Sequence, residues 1–262
     1  MPHGFSIELL NLRLGFSASS GPAAALIERY VFPTLPRKPP RPEDLSFGLE
    51  SDGSGFRIDR EGAEYATAAG ADEALVSLQQ AVDEHVVQHA AGFAFVHAGA
   101  VGVGGAAALL IASSGHGKST LVKELAGGAW GADYYSDEYA AIDPEGRLHP
   151  YPRSLLLREG RPAQHPVTPQ ELGARVAAGP AEIRLVLQVP YAPDEGHIGI
   201  RVTPLAQSEA LHLLLKSTPQ ALDYHPAIFG SLTKVAARAR TYTGVRGESP
   251  KAARAILELL SE

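Results

Sequence analysis

The sequence predicts an α/β fold, in which helices flank a central mixed β-sheet and a small β-rich module precedes it. Three observations support this. A strand-like run, a glycine-rich loop and an amphipathic helix follow one another over residues 106–125. Strand and hairpin signals occupy the first 68 residues. With 262 residues, 45% of them hydrophobic, the chain is long enough for one domain plus a small module. We expect the module at 1–68 and the larger domain at 69–262.

The sequence predicts one long strand, a helix, a proline-rich segment and a hairpin in the N-terminal module. The predicted elements are a strand over Phe5–Leu10 that Leu12–Phe16 continues, a helix over Ala23–Tyr30, and a hairpin with arms at 47–50 and 56–59. Five prolines between residues 33 and 42 exclude a helix or a central strand there. We expect an extended surface linker, with a docking segment as the alternative.

The larger domain alternates helical and strand-like stretches. In order, the sequence predicts a helix over Asp72–His89, a strand over Phe93–Ala98, a hairpin from Ala100–Val103 into Ala106, a second hairpin from Tyr139–Ile142 to Arg147–Tyr151, a short helix near Pro169–Val176, a buried strand over Ile183–Val189, and helices over Ser208–Lys216 and Pro250–Leu260.

The stretch from Ala106 to Leu121 carries the strongest chemical signal. A short apolar strand enters a small, flexible loop, and an amphipathic helix begins near Lys118. This is the context that a phosphate-binding loop requires. Gly115 and Gly117 allow backbone N–H groups to turn inward around an oxyanion, and the helix N-terminus adds its dipole. A Gly/Ser turn with a chance Lys-Ser pair is the alternative.

The side chains at the end of the loop have expected roles toward a nucleotide. We expect Lys118 to reach the β- and γ-phosphates, Ser119 to bind Mg²⁺ and Thr120 to contact the α-phosphate. The other expected nucleotide-binding residues are Ser114, Gly115, His116 and Gly117. The side chain of His116 is expected to point either to solvent or to the adenine or the acceptor.

Asp137 and Glu138 are the candidate acidic pair. They begin 19 residues after Lys118, which is about the length of one helix and one strand. We expect the pair at the end of a strand next to the loop strand, beside the Mg²⁺. One carboxylate would hold the metal, and the other would accept the proton of a hydroxyl or position a water. A solvated turn is the alternative.

Other polar residues have weaker claims to a role. His97 precedes the loop strand and is either a nucleotide contact or a structural histidine. Arg153 and Arg158 are either groups that neutralise charge on a transferred phosphoryl or surface arginines. His85 and His89 have the spacing of two metal ligands on one helix, but a third ligand is missing.

Composition excludes several classes of protein. The net charge of −6 and a pI near 5.9, without a basic block, argue against a nucleic-acid partner. The absence of cysteine excludes disulfides, thiolate metal sites and a cysteine nucleophile. No basic region precedes a long apolar stretch at the start, and no apolar run reaches about 18 residues. We expect a cytoplasmic protein without a membrane span.

Three segments of the chain, 97–101, 112–121 and 135–139, resemble one family when they are taken together. They are similar to the HPr kinase/phosphorylase-like P-loop kinases of the phosphoenolpyruvate carboxykinase superfamily. The later Leu187–Tyr191 and the helix from Ser208 resemble the tail of the smaller HPr-kinase-related proteins. The resemblance covers roughly residues 90–260.

The resemblance implies a P-loop kinase domain and ATP- and Mg²⁺-dependent phosphorylation of a hydroxyl, with a serine of a protein or peptide as acceptor. Asp137 would be the general base, with Lys118 and Glu138 as the other catalytic groups. Asp137 and Glu138 would join Ser119 at the metal, and His97 would approach the nucleotide. Relatives are often oligomeric, so a homo-oligomer is also expected. From the residues alone, a nucleotide hydrolase or switch and a non-catalytic peptide-binding scaffold stay open, as does ATP against GTP.

Overall fold

A computed structural model of the protein describes residues 3–42, 44–51, 53–112, 115–158, 160–161, 163–223 and 226–262. The fold is α/β, as predicted, with mixed pairing of strands and six α-helices in the described residues. None of the helices formed by these residues is both long and apolar enough to cross a lipid bilayer.

The strands of the described residues are, in chain order, β1 (His3–Leu9), β2 (Leu12–Ala18), β3 (Leu45–Ser51), β4 (Phe56–Arg60), β5 (Ala63–Ala68), β6 (Ala94–His97), β7 (Gly99–Val103), β8 (Ala106–Ile111), β9 (Asp133–Ser136), β10 (Tyr139–Ile142), β11 (Arg147–His149), β12 (Leu155–Leu157), β13 (His165–Val167), β14 (Arg175–Val176), β15 (Ala181–Gln188), β16 (Ile200–Pro204) and β17 (Arg240–Arg246). The helices are α1 (Gly21–Tyr30), α2 (Ala71–His89), α3 (Lys118–Ala126), α4 (Gln207–Lys216), α5 (Pro226–Arg238) and α6 (Ser249–Ser261).

The chain folds into two compact units. The first comprises residues 1–91 and 153–168, and the second comprises residues 92–152 and 169–262. The predicted boundary after residue 68 does not coincide with this division, because α2 packs against β4 and β5 and so belongs with the N-terminal strands. The hairpin of β12 and β13 also packs against α2, although it comes much later in the chain.

The first unit is built on a five-stranded sheet in the order β1-β2-β3-β4-β5. Along its strands, large apolar side chains alternate with polar ones, so the apolar side chains share one face. That face is buried, and α1 and α2 cover it. The predicted helix at 23–30 and the hairpin at 47–59 are confirmed. The expectation that Leu12–Phe16 continues the first strand is wrong. Leu10 has a φ of 56°, so the chain reverses there and β2 pairs antiparallel with β1.

The proline-rich segment lies along the open edge of this sheet. It is largely exposed, as expected of a surface linker, but Lys38 and Ser6 exchange two backbone hydrogen bonds of 2.8 Å. The guanidinium of Arg37 lies 3.9 Å from the centre of the Phe5 ring. The proline-rich segment therefore covers part of the edge strand β1. Its prolines have no N–H group with which a further strand could pair.

Asp44 fastens the end of this segment to the sheet. Its buried carboxylate accepts hydrogen bonds from the Ser6 hydroxyl, from Arg13 Nε at 2.7 Å and from the Arg41 amide at 2.7 Å. Burial alone would raise the pKa of Asp44, but the hydrogen bonds from Ser6, Arg41 and Arg13 outweigh burial and lower it. The carboxylate therefore stabilises the fold while it is ionised.

We expect Asp44→Asn to lower the free energy of unfolding by about 2–3 kcal/mol at pH 7, because the amide cannot accept all of these bonds. The pKa of Asp44 is lower in the folded than in the unfolded chain. Its contribution is therefore complete above the unfolded value of about 4 and is lost as the pH falls through the folded pKa. Urea unfolding from pH 7 to pH 3 measures this, and a wild-type advantage that stays constant over that range would contradict it.

The second unit is built on a mixed ten-stranded sheet. Its main path runs β14-β9-β7-β8-β15-β11-β10-β6, and β17 pairs with β15 and with β16. Strands β8, β15 and β17 are parallel, while β7 runs antiparallel to β8. The carboxyl ends of the three parallel strands therefore share one edge of the sheet. The two predicted hairpins are confirmed.

Helices cover both faces of this sheet. Ala107, Leu109 and Ile111 of β8 share a buried core with residues of α4 and α5. Side chains of a strand alternate between faces, so Ala108 and Leu110 point to the other side, where α3 and α6 pack against β8 and against each other. The predicted helices at 208–216 and 250–260 are confirmed.

The predicted helix near Pro169–Val176 does not form. The chain makes a turn in which the Gly173 amide donates to Gln170 O over 2.9 Å, and Gly173 then takes a φ of 66°. That left-handed conformation ends the turn before a second helical turn begins. Residues 175–176 form β14 instead, parallel to β9.

Gly99 sets how closely α3 approaches the sheet. A Cβ built on Gly99 would lie 2.3 Å from Val122 Cγ2 and 3.5 Å from Lys118 Cγ. Both of these side chains belong to α3, which packs against β7. The missing side chain at Gly99 thus provides the space in which the start of α3 lies.

We expect Gly99→Ala to destabilise the protein by about 1–3 kcal/mol, because the methyl group must displace Val122. Gly230→Ala is the matched control. Gly230 lies in α5 and a Cβ there would meet nothing within 4 Å, so alanine should stabilise by about 0.5–1 kcal/mol. Thermal unfolding of both variants measures the difference, and a Gly99→Ala variant as stable as wild type would contradict the close contact.

Candidate functional site

The described part of the loop between β8 and α3 contains two glycines in left-handed conformations. Gly115 and Gly117 have φ values of 83° and 76°, and α3 begins directly afterwards at Lys118. Side-chain-bearing residues rarely adopt such left-handed conformations, which explains the two glycines. The first turn of α3 leaves backbone N–H groups without partners inside the helix. Ser114, which was expected to bind the nucleotide, lies outside the described residues.

The rest of the unit fixes two peptide groups of this loop. The carbonyl oxygen of His116 accepts a hydrogen bond from the Tyr191 amide over 3.3 Å. The carbonyl oxygen of Gly117 accepts one from Arg246 Nη2 over 2.8 Å. In a trans peptide the N–H group points opposite to the C=O group. The N–H groups of Gly117 and Lys118 therefore point away from Tyr191 and Arg246.

Lys118 reaches from the start of α3 to the acidic pair. Its side chain is 7% exposed, and Nζ donates to the backbone oxygen of Asp137 and lies 3.2 Å from Glu138 Oε2. His97 Nε2 lies 2.8 Å from the other carboxylate oxygen of Glu138. The structure thus brings together four of the residues that the sequence singled out: His97, Lys118, Asp137 and Glu138.

Strand register explains how the acidic pair comes to face Lys118. Tyr139 pairs with His97 in β10 and β6, and Ser136 pairs with Ala100 in β9 and β7. The same register places Glu138 opposite Ala98, whose amide donates to the Glu138 carbonyl over 3.1 Å. It also places Asp137 opposite Gly99, the residue against which α3 packs. The pair therefore lies between the end of β9 and the start of β10, opposite the residue against which the start of α3 packs.

One part of the expected placement is wrong. The acidic pair was expected on a strand next to the loop strand, but β9 pairs with β7, and β7 lies between β9 and β8. The hairpin of β7 and β8 inserts this extra strand. The pair is nevertheless within reach of the loop helix. The side chain of Lys118 passes over Gly99 of β7 and contacts the backbone of Asp137.

The two acidic side chains differ in exposure. Asp137 is 3% exposed, whereas the side chains of Glu138 and His97 are each 36% exposed. Glu138 is shared between the Lys118 ammonium and the His97 ring. A buried carboxylate next to a half-exposed one allows two different roles within one pair.

Ser119 and Thr120 follow Lys118 in the first turn of α3. Ser119 is half-buried and Thr120 is exposed, as is His116 in the loop. No group of three or more acidic or histidine side chains that could hold a metal occurs among the described residues. Oxygen donors are nevertheless present in Ser119, Asp137 and Glu138, and Mg²⁺ is commonly held by one or two carboxylates together with substrate phosphates and water.

The other candidates belong to the first unit. Arg153 is buried in the first unit, where it pairs with Asp83 and Nη2 lies 3.3 Å from Gln79 Oε1, so it is not a surface arginine. Arg158 is exposed in the same unit. His85 and His89 stack ring on ring at 4.0 Å, and burial lowers the pKa of His85.

Arg246 was not among the residues that the sequence singled out. The strand that carries it, β17, ends beside β15, so Arg246 arrives at the carboxyl edge of the sheet under the loop. Tyr191 belongs to the segment Leu187–Tyr191, which resembles the smaller HPr-kinase-related proteins, but no role was predicted for it. If β17 had been predicted, the position of Arg246 at the end of a parallel strand could have indicated that it lies near the loop, together with Tyr191.

Comparison with models of known protein families finds none that matches the chain, and comparison with curated proteins finds no match either.

Proposed function

We propose that this protein is a P-loop kinase similar to the HPr kinase/phosphorylase group, which transfers the γ-phosphoryl group of ATP to a hydroxyl. The acceptor class that we propose is a serine of a protein or peptide. One observation carries the proposal: the buried ammonium group of Lys118, at the start of a glycine-flanked helix, lies against the Asp137-Glu138 pair. The group that we propose to bind phosphate is thereby adjacent to the group that we propose to accept the proton.

The phosphate side of the reaction depends on the loop and Lys118. The N–H groups at the start of α3 and the ammonium group would stabilise the negative charge on the transferring phosphoryl. Lys118 is largely excluded from water, so its interaction with a phosphate would be stronger than in bulk solvent. Tyr191 and Arg246 hold the loop in place before the substrate arrives, which favours catalysis by positioning.

The acceptor side depends on the acidic pair. The oxygen of the acceptor hydroxyl would form the new bond to the γ-phosphorus, the bond from phosphorus to the bridging oxygen would break, and ADP would leave with that electron pair. Asp137 would accept the hydroxyl proton. Glu138, held by His97 and Lys118, would keep negative charge next to the ammonium group.

The oxygen donors of the site fit Mg²⁺. Ser119 would hold it, with Asp137 and Glu138 as the acidic ligands at hand, and the ion would neutralise charge on the phosphates.

We expect Lys118→Ala to weaken binding of a non-hydrolysable ATP analogue at least tenfold and to abolish phosphoryl transfer, because the charge on the phosphates loses its buried partner. Titration calorimetry with Mg²⁺ present measures the binding. Lys123→Ala, on the same helix and half-buried, is the matched control and should bind like wild type. Equal binding by the Lys118 variant would contradict the proposal.

We expect Asp137→Asn to retain binding of the ATP analogue and to lose transfer by about a hundredfold or more, as removal of a general base does. Glu138→Gln is tested beside it, because it keeps the size of the side chain. Transfer from labelled ATP to serine-containing proteins and peptides measures both. Wild-type transfer by Asp137→Asn would exclude Asp137 as the base.

The same experiments separate the alternatives. ATP consumption without any labelled acceptor, together with nucleotide-dependent binding of a partner, would support a hydrolase or switch. Failure of the wild-type protein to bind ATP or GTP analogues would support a non-catalytic scaffold.

A further inference from the structure

Arg246 is a buried cation directly under the loop. The residue is 2% exposed, and its guanidinium lies 5.1 Å from the centre of the Tyr191 ring. A Cβ built on Gly117 would lie 2.4 Å from Arg246 Nη2, so the guanidinium fills the space that the glycine leaves open. The fold thus places a permanent positive charge against the backbone of the loop.

The hydrogen-bond partners of this guanidinium are neutral. Nη2 donates to Gly117 O, and Nη1 donates to Gly247 O over 2.9 Å and to Ser249 Oγ over 3.3 Å. Within the described part of the chain, no carboxylate forms an ion pair with Arg246. The neighbouring acid, Glu248, accepts a hydrogen bond from the Tyr191 hydroxyl over 2.6 Å instead.

A buried charge with neutral partners is costly. Burial lowers the pKa of Arg246, and the weaker attraction of Tyr191 and Glu248 does not offset that effect. Buried charges in proteins are normally paired with an opposite charge. Lys118 shows the difference within the same site, because its ammonium group has Glu138 as a partner.

We propose that the counter-charge of Arg246 is the polyphosphate of the bound nucleotide, and that Arg246 is a positioning residue that acts through the Gly117 carbonyl. This inference rests on the proposed nucleotide-binding function. Arg246 holds the C=O group of Gly117, and thereby directs the Lys118 N–H group toward the anion from the opposite side of the peptide. Its charge adds to that of the helix N-terminus, so the group recognised is the phosphate chain rather than the base.

The test compares Arg246→Met, Arg246→Lys and wild type in calorimetry with two probes, Mg²⁺ with the ATP analogue AMP-PNP and Mg²⁺ with inorganic tripolyphosphate. We expect Arg246→Met to bind both probes about 10- to 100-fold more weakly, and Arg246→Lys to fall between the two. Arg240→Met is the control, because Arg240 lies at the other end of β17 and pairs with Glu262 at 2.9 Å. It should bind both probes like wild type.

Unfolding of the free variants separates positioning from a structural role. Arg246→Met removes a buried charge, and Gly117 O keeps a donor in the Leu121 amide at 3.1 Å. The free variant should therefore be as stable as wild type or more stable, while the stabilisation by AMP-PNP shrinks. A residue with only a structural role would lower the stability of the free protein and leave the dissociation constants unchanged.

The outcomes are distinct. Weaker binding of both probes with unchanged stability supports the inference, and the lysine variant gives the same answer if the methionine variant does not fold. Equal affinity of Arg246→Met and wild type overturns this inference alone. Failure of wild type to bind either probe overturns the proposed function and this inference together.

Discussion

The contact between the buried ammonium group of Lys118 and the Asp137-Glu138 segment is the interaction on which the site depends. An amine that is almost fully removed from water requires acceptors or an opposite charge. The fold provides both at one point, since the Asp137 carbonyl and the Glu138 carboxylate lie on the same two-residue segment. The close approach of α3 to β7, the glycine at position 99 and the break between β9 and β10 all serve that contact.

The break in the strands is what makes an acidic pair available inside a sheet. A regular antiparallel pair would have directed successive side chains to opposite faces and left both backbone groups in the ladder. At Asp137 and Glu138 the named strands stop and resume, while the register with Ala98 and Gly99 is kept. Asp137 is buried there, while Glu138 is partly exposed beside His97.

Local features were predictable from the sequence, and long-range ones were not. The strand, loop and helix around Lys118 follow from apolar periodicity and two glycines, and the acidic pair followed from its distance along the chain. The extra strand between β8 and β9 could not be inferred from that distance, because spacing does not specify which strands pair. Arg153 was misjudged for a similar reason, since its partner Asp83 is 70 residues away in sequence.

The two buried cations next to the loop, Lys118 and Arg246, differ in a way that bears on ligand binding. Lys118 already has an acidic partner, so an incoming phosphate must compete with Glu138 for the ammonium group. Arg246 has neutral partners, so an anion at the loop would relieve the cost of its burial without displacing anything. The electrostatic free energy gained at Lys118 would therefore be the attraction to phosphate minus the lost attraction to Glu138. At Arg246 the attraction to the anion would be gained in full. On electrostatic grounds, Arg246 would favour the proposed anion-bound state, and binding of the anion at Lys118 would release the Glu138 carboxylate from its ion pair.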